Sequence, residues 1–211
     1  GTSRRQRQMC IRDRFTIDPG LTLHFYDNKN TQLGQTFAKD ISDIRPNLRV
    51  NMQFKKNENL RFTYRKNTQF TDVNNISEGY VFNNYNSIFR GNRGLEAAIV
   101  NSYNLNYRSI NQFTFTNVYS NISYSKRENS IQSRAAIEGI NSVRTADNSI
   151  FPRETYSARA RLDRRFKNIK INLSANFRYS EFSNIINDVV NNAAVSYTHL
   201  TLPTEVPCRS R

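Results

Sequence analysis

Eleven consecutive residues constrain this chain more than any other feature. From Ile169 to Tyr179, the apolar residues Ile169, Ile171, Leu173, Ala175, Phe177 and Tyr179 alternate strictly with Lys170, Asn172, Ser174, Asn176 and Arg178. A period of two places every second side chain on one face of an extended strand, whereas a helix would scatter the same residues around its axis. The spacing therefore predicts a strand with one apolar and one strongly polar face. Upstream, Tyr156, Ala158, Ala160 and Leu162 alternate with Ser157, Arg159, Arg161 and Asp163, and the turn Arg164 to Asn168 makes the pair a hairpin. Leu48, Val50, Met52 and Phe54 pair in the same way with Leu60, Phe62 and Tyr64 across residues 55–59. A third hairpin sets Tyr103, Leu105 and Tyr107 against Phe113 and Phe115. Its second strand runs on to Tyr124 with an apolar phase that changes between Phe115 and Val118, as a β-bulge would cause. Leu21, Leu23 and Phe25 give a seventh strand after Pro19-Gly20.

The fold class expected is all-β: an antiparallel meander of about seven strands. Connections within hairpins are short, while 27–47, 66–101, 126–154 and 181 onward are long and rich in Asn and Ser. Loops of that length are uncommon in compact domains. Short turns on one edge and long loops on the other are the pattern of a transmembrane β-barrel. The best strands reach the roughly 9–11 residues that cross a bilayer at a tilt of about 45°. No helix can span, since the longest aliphatic run is Ala97-Ala98-Ile99-Val100. Tyr and Phe near strand ends (Phe54, Tyr64, Tyr107, Tyr124, Phe166, Tyr179) suit an aromatic girdle. Seven strands do not close, so the expectation is a partial barrel. The competing fold is a soluble β-sandwich with an adhesin-like binding role.

The two ends carry a different signal. Residues Arg4 to Asp13 back-translate to CGT CGG CAG CGT CAG ATG TGT ATA AGA GAC. The reverse complement of that string encodes Val-Ser-Tyr-Thr-His-Leu-Thr-Leu-Pro-Thr, which is Val195 to Thr204 in order. The shared sequence resembles a transposase adapter used in DNA library preparation. The expected division is 1–14 adapter-derived and non-native, 15–194 barrel fragment, and 195–211 adapter-derived and non-native. The end segments are expected to show little regular structure. Both cysteines, Cys10 and Cys208, fall outside 15–194, so the insert has no thiol chemistry.

The segment from Leu60 to Tyr107 resembles the outer-membrane β-barrel family akin to the TonB-dependent receptors of Gram-negative bacteria. The strand Leu60-Arg61-Phe62-Thr63-Tyr64-Arg65 leads into a long loop ending in Gly91-Asn92-Arg93-Gly94-Leu95-Glu96. The next strand begins Asn101-Ser102-Tyr103-Asn104-Leu105-Asn106-Tyr107. The family usually has Pro where this chain has Arg93. The resemblance implies a transporter or porin of the cell outer membrane that passes nutrients. Its implied partners are outer-membrane lipid and lipopolysaccharide, a plug domain, and a periplasmic energy-coupling protein.

The candidate site is the polar face, where Arg61, Arg65, Arg159, Arg161, Lys170 and Arg178 fall. They would attract anionic solutes, or stand as wall residues paired with Asp163 or with carboxylates of a plug; the second reading is preferred from sequence. His24 belongs to the same polar face. Asp18, Asp27, Asp40 and Asp43 are scattered candidates for calcium in a longer protein. With one histidine in 15–194 no Ser/His/Asp arrangement is available, and there is no phosphate-binding glycine loop, so neither an enzyme nor a cofactor is expected. The formal charge of +14 suggests nucleic acid as a rival partner. That reading is set aside because seven of the basic residues lie in the ends and the rest spread along strands.

Overall fold

The computed structural model describes residues 14–32, 34–166, 169–187, 189–201 and 204–205. In chain order the elements are β1 (Phe15–Gln32), β2 (Gln35–Lys55), β3 (Glu58–Gln69), α1 (Val73–Ile76), β4 (Tyr80–Asn84), β5 (Ser87–Arg90), β6 (Ala98–Asn111), β7 (Thr116–Glu128), β8 (Ile131–Glu138), β9 (Asn141–Asn148), β10 (Arg153–Phe166), β11 (Ile169–Ile186), β12 (Val189–Thr201) and β13 (Thr204–Glu205).

All the strands belong to one sheet. Its body is an antiparallel meander in the order β1-β2-β3-β6-β7-β10-β11-β12. It does not close, because β1 pairs only with β2, and β12 only with β11, among the described residues. Among the described residues no second sheet covers either face, which speaks against the sandwich alternative. The seven strands read from alternation are seven of these eight. The eighth, β12, pairs with β11 from Ile186↔Val189 to Ser174↔Thr201.

Three expectations need correction. First, the long connections are not loops throughout. Residues 27–47 continue β1 and β2 as a protruding ribbon that turns at Gly34 (φ +76°), a conformation open to glycine. The connection between β3 and β6 contains α1 and the β4–β5 hairpin, and that between β7 and β10 is the β8–β9 hairpin. These hairpins join edge to edge: β5 runs parallel to β9, and β8 runs parallel to the tip of β11. Polar strands of Asn, Ser and Arg can do this because ladder bonds come from the backbone.

Second, β7 has no bulge. The register from Asn111↔Thr116 to Ile99↔Glu128 is unbroken, and residues 112–115 form the turn. The Asn111 side chain accepts from the backbone N–H groups of Phe113 and Thr114 at 3.0 and 3.1 Å. This Asx turn takes both Phe113 and Phe115 out of the strand. The apparent phase change was the boundary between turn and strand.

Third, residues 195–201 are not without structure, because they are the second half of β12. Val-Ser-Tyr-Thr-His-Leu-Thr is extended-compatible, and the free edge of β11 offers unpaired N–H and C=O groups to any such segment. Residues 1–13 and 206–211 lie outside the described residues.

The Gly91 motif anchors the connection between β3 and β6. Gly91 N–H donates to Ser77 O (2.9 Å) and Asn92 N–H to Asn75 O (2.7 Å). A Cβ on Gly91 would sit 2.4 Å from Ser77 O and 2.6 Å from Asn75 O, both backbone atoms. Glu96 is tied to the neighbouring hairpin through Asn148, whose Oδ1 accepts from Glu96 N–H at 2.8 Å. Gly91→Ala should therefore loosen residues 70–97 by about 1–3 kcal/mol. Hydrogen exchange should rise there and stay unchanged in β10 and β11; uniform exchange across the chain would contradict this.

Candidate functional site

The register builds two faces from the alternation. Residues directly opposite in an antiparallel pair share a face. One row runs Pro19, Leu48, Tyr64, Tyr103, Tyr124, Tyr156 and Tyr179 across seven strands. Its five tyrosines sit side by side with ring centroids 4.9, 5.8, 4.7 and 6.3 Å apart. Such contacts contribute about 0.5–1.5 kcal/mol each beyond area burial. Their hydroxyls turn toward the long-loop edge: Tyr64 donates to Asn101 Oδ1 (3.1 Å) and Tyr156 to Glu154 Oε2 (2.7 Å). On the same face toward the turns, the next row is Val50, Phe62, Leu105, Ile122, Ala158 and Phe177.

This apolar face is bare. The only buried hydrophobic residues among those described are Ala98 and Ala146, both in or beside the loop-edge structures. Phe25 is 80% exposed, Ile122 54% and Phe177 43%. An apolar face of this extent, with Ser120 set among its aromatic and aliphatic side chains, is unstable in water and marks a surface meant for another apolar phase.

The band is also slanted. On β11 it runs from Ile169 to Tyr179, and on β1 from Phe15 to Phe25, eleven residues in each. Tyr179 shares its row with Pro19, six residues short of Phe25, and β1 is six strand steps from β11. Between these two strands the limit of the band thus shifts by an average of one residue per strand. With a rise of about 3.3 Å per residue and a strand spacing of about 4.8 Å, that is a tilt of about 35°. Strands of transmembrane barrels tilt by about 35–45°.

Beyond the tyrosine row, toward the loop edge, the same face becomes charged. Lys66, Asn101, Lys126, Glu154 and Glu181 form the row beyond the tyrosines. Lys126 donates to Glu128 at 2.8 Å, and this hydrogen bond holds its ammonium pKa above the usual value. At the turn edge Arg164 stacks over Phe166 with its guanidinium 4.3 Å from the ring centre.

The opposite face carries all six basic residues named from the sequence. Arg61 Nε donates to Asn51 Oδ1 (2.8 Å), Arg159 Nε to Asn176 Oδ1 (2.7 Å), and Arg161 Nε to both carboxylate oxygens of Asp163 (3.0 Å). Arg178 lies opposite Ser157, Arg65 opposite Ser102, and Lys170 opposite Arg165. Arg161 shows the expected pairing with Asp163. Further arginines share this face, among them Arg49 opposite Thr63 and Arg108 opposite Tyr119. Arg49 was legible in the alternation between Leu48 and Val50. Arg108 was hidden by its assignment to a turn, which in fact begins four residues later.

His24 faces inward beside Asp43, which binds Arg45 at 2.6 Å; Arg45 also donates to Tyr26 (2.8 Å). Of the aspartates considered for calcium, Asp27 and Asp40 stand opposite each other, but no group of three or more His, Cys, Asp or Glu suited to a metal exists among the described residues. The connection between β3 and β6 folds inward over the same face. Glu78 N–H donates to Gln32 Oε1 (3.0 Å), and Phe70 packs edge-on against Tyr26 at 4.6 Å. A cavity of about 490 Å³ lies beneath it, lined by Tyr26, Phe37, Ile41, Phe70, Val73 and Arg93 among others.

Comparison with known proteins agrees with this geometry. The model of the outer membrane protein beta-barrel family matches residues 13–206. Among solved structures, the chain is similar to the FrpB iron transporter of Neisseria meningitidis (F3-3 variant), with TM-score 0.53 and 11% identity over 81% of this chain and 28% of that one. It is also similar to a double mutant of the Serratia marcescens hemophore receptor HasR, solved with its hemophore HasA and heme, with TM-score 0.53 and 10% identity over 89% of this chain and 41% of that one. At these identities the likeness is one of fold, and the chain spans less than half of each. No curated protein sequence matches.

The slant gives a depth prediction. Residues 15–194 contain no cysteine, so single Cys labels can be placed cleanly. In the full-length protein in lipid, fluorescent labels at positions 25 and 179 should be quenched from the same depth. A label at position 19 should lie about 16 Å further from that surface, from six residues of rise at the 35° tilt. Equal depths at 19 and 179 would contradict the slant.

Proposed function

Because this chain belongs to the outer membrane protein beta-barrel family and its place is the cell outer membrane, we propose that it is a length of the wall of a nutrient transporter resembling the TonB-dependent receptors. The observation that carries this reading is the bare apolar band, eleven residues deep and slanted at about 35°, backed by a wholly polar opposite face. In a closed barrel the first face meets lipid and the second meets a water-filled lumen. Arg61, Arg65, Arg159, Arg161, Lys170 and Arg178 are then lumen residues.

The iron transporter and the hemophore receptor to which the chain is similar support transport as the role of the whole protein. A plug domain and a periplasmic energy-coupling protein are the partners this reading supplies. Outer-membrane lipid would contact the band. Lipopolysaccharide would meet the charged row beyond the tyrosines, where Lys66 and Lys126 suit its phosphates. The reading assigns the chain no catalytic role.

Residues 15–194 carry this function, and 1–14 and 195–211 are read as adapter-derived. In β12 the register puts Ser196, Thr198 and Leu200 on the apolar face beside Tyr179, Phe177 and Ala175, and Tyr197 and His199 on the polar face. The division between 194 and 195 rests on the back-translated match of residues 4–13 with 195–204.

Adjacent residues on β11 give the test. Leu173 faces lipid and Asn172 faces the lumen opposite Asp163. Arg near the bilayer midplane on the lipid face costs about 2–4 kcal/mol. In the full-length protein, Leu173→Arg should impair folding into lipid vesicles, read by heat-modifiable gel mobility, while Asn172→Arg should fold as the parent does. A larger defect for Asn172→Arg would reject the face assignment.

A further inference from the structure

We propose that the lumen face holds a binding site for small polyanions, solutes bearing two or more carboxylate or phosphate groups, built by Arg61, Arg108 and Arg159. It rests on the reading of this sheet as a barrel wall.

The three arginines lie in two adjacent inward rows. One row runs Asn51, Arg61, Asn106, Asn121, Arg159 and Asn176, and the next contains Asn59, Arg108, Tyr119 and Arg161. They surround a concavity of about 570 Å³ whose lining contains four arginines and no carboxylate. That volume is within the range of small-molecule sites, about 300–1,000 Å³.

The way each guanidinium is held is the decisive point. Arg61 is fixed through Nε by the Asn51 amide oxygen, and Arg159 through Nε by that of Asn176. Arg108 lies over the Tyr119 ring at 5.7 Å. All three partners are neutral. They orient the side chain without cancelling its charge, and a guanidinium engaged only through Nε keeps the N–H donors of both Nη groups. The chain neutralises other arginines: Arg45 by Asp43 at 2.6 Å, Arg93 by Glu78 at 3.2 Å, and Arg161, which lines the same concavity, by Asp163 at 3.0 Å. Arg61, Arg108 and Arg159 differ in that each is oriented by a neutral partner.

Oriented Nη pairs match the two oxygens of a carboxylate or phosphate. Low-dielectric walls on either side concentrate the field of three like charges into the lumen. The backbones of Arg61 and Arg159 stand three strands apart, about 14 Å. Arg61 is drawn toward Asn51 on β2 and Arg159 toward Asn176 on β11, so the two flank the concavity from opposite sides, with Arg108 on a strand between them. A single-charge anion would satisfy one arginine and leave the others uncompensated, so the site favours multiple charge.

The test uses the full-length protein in detergent, with calorimetric titration of pyrophosphate and of citrate, and sucrose as the uncharged control. Heat-modifiable mobility confirms that each variant is folded, which keeps failure of the site distinct from failure of the barrel reading. Binding of either anion without binding of sucrose is expected, with pyrophosphate alone or citrate alone identifying the preferred oxyanion. Arg61→Gln, Arg108→Gln and Arg159→Gln should each weaken it about tenfold, whereas Lys29→Gln, on the other face of β1, should leave it unchanged. A folded protein that binds neither anion would overturn the proposal. So would equal losses in Lys29→Gln and the arginine variants.

Discussion

A backbone placed in hydrocarbon must pair every N–H and C=O within the protein, because no water is there to take them. A sheet meets this demand along each strand interior and fails only at its edges. The eight-strand meander pairs β2, β3, β6, β7, β10 and β11 on both sides and leaves β1 and β12 as free edges among the described residues. Every other feature follows from carrying such a sheet across a bilayer. One face must be apolar, the other can be as polar as the lumen requires, and the strands must tilt for the sheet to close.

The tilt is written into the amino-acid sequence through the offset between the apolar band and the hydrogen-bonded rows. Phe25 and Tyr179 both end the band although their rows differ by six residues. The tyrosine row shows the same compromise. Tyr179 stands at the outer limit of the band on β11, whereas on β3 the band is expected to extend beyond Tyr64. There Lys66 follows on the same face, and a long aliphatic stem lets such a residue reach the interface. At the loop edge, where water returns, the chain changes its habits: ion pairs such as Arg93–Glu78 and short polar hairpins replace the two-faced strands.

Much of the wall was legible from residue order alone, since a two-residue period survives any tertiary context that leaves one face apolar. Seven strand cores and the placing of six basic residues on one face follow from it. The hairpins β4–β5 and β8–β9 do not, because their strands are short and polar on both faces, as in Asn141-Ser142-Val143-Arg144-Thr145. Their pairing comes from backbone bonds to distant strands such as β11, which periodicity cannot signal. Arg108 was missed for a local reason: the Asx turn of Asn111 lies later than the polar cluster Arg108 to Asn111 suggests. The charge-bare arginines are recognised by neutral partners on other strands, Asn51 for Arg61 and Asn176 for Arg159, so only the register exposes them.

The central claim is that odd positions of β11 face lipid and even positions face an aqueous lumen. A nitroxide scan from 170 to 178 in the full-length protein reconstituted in bilayers tests it most directly, with accessibility to oxygen and to a water-soluble nickel complex measured at each site. The account predicts oxygen maxima at 171, 173, 175 and 177 and nickel maxima at 172, 174, 176 and 178, the two curves exactly out of phase. Nickel access at 173 and 175 equal to that at 172 and 174 would contradict it.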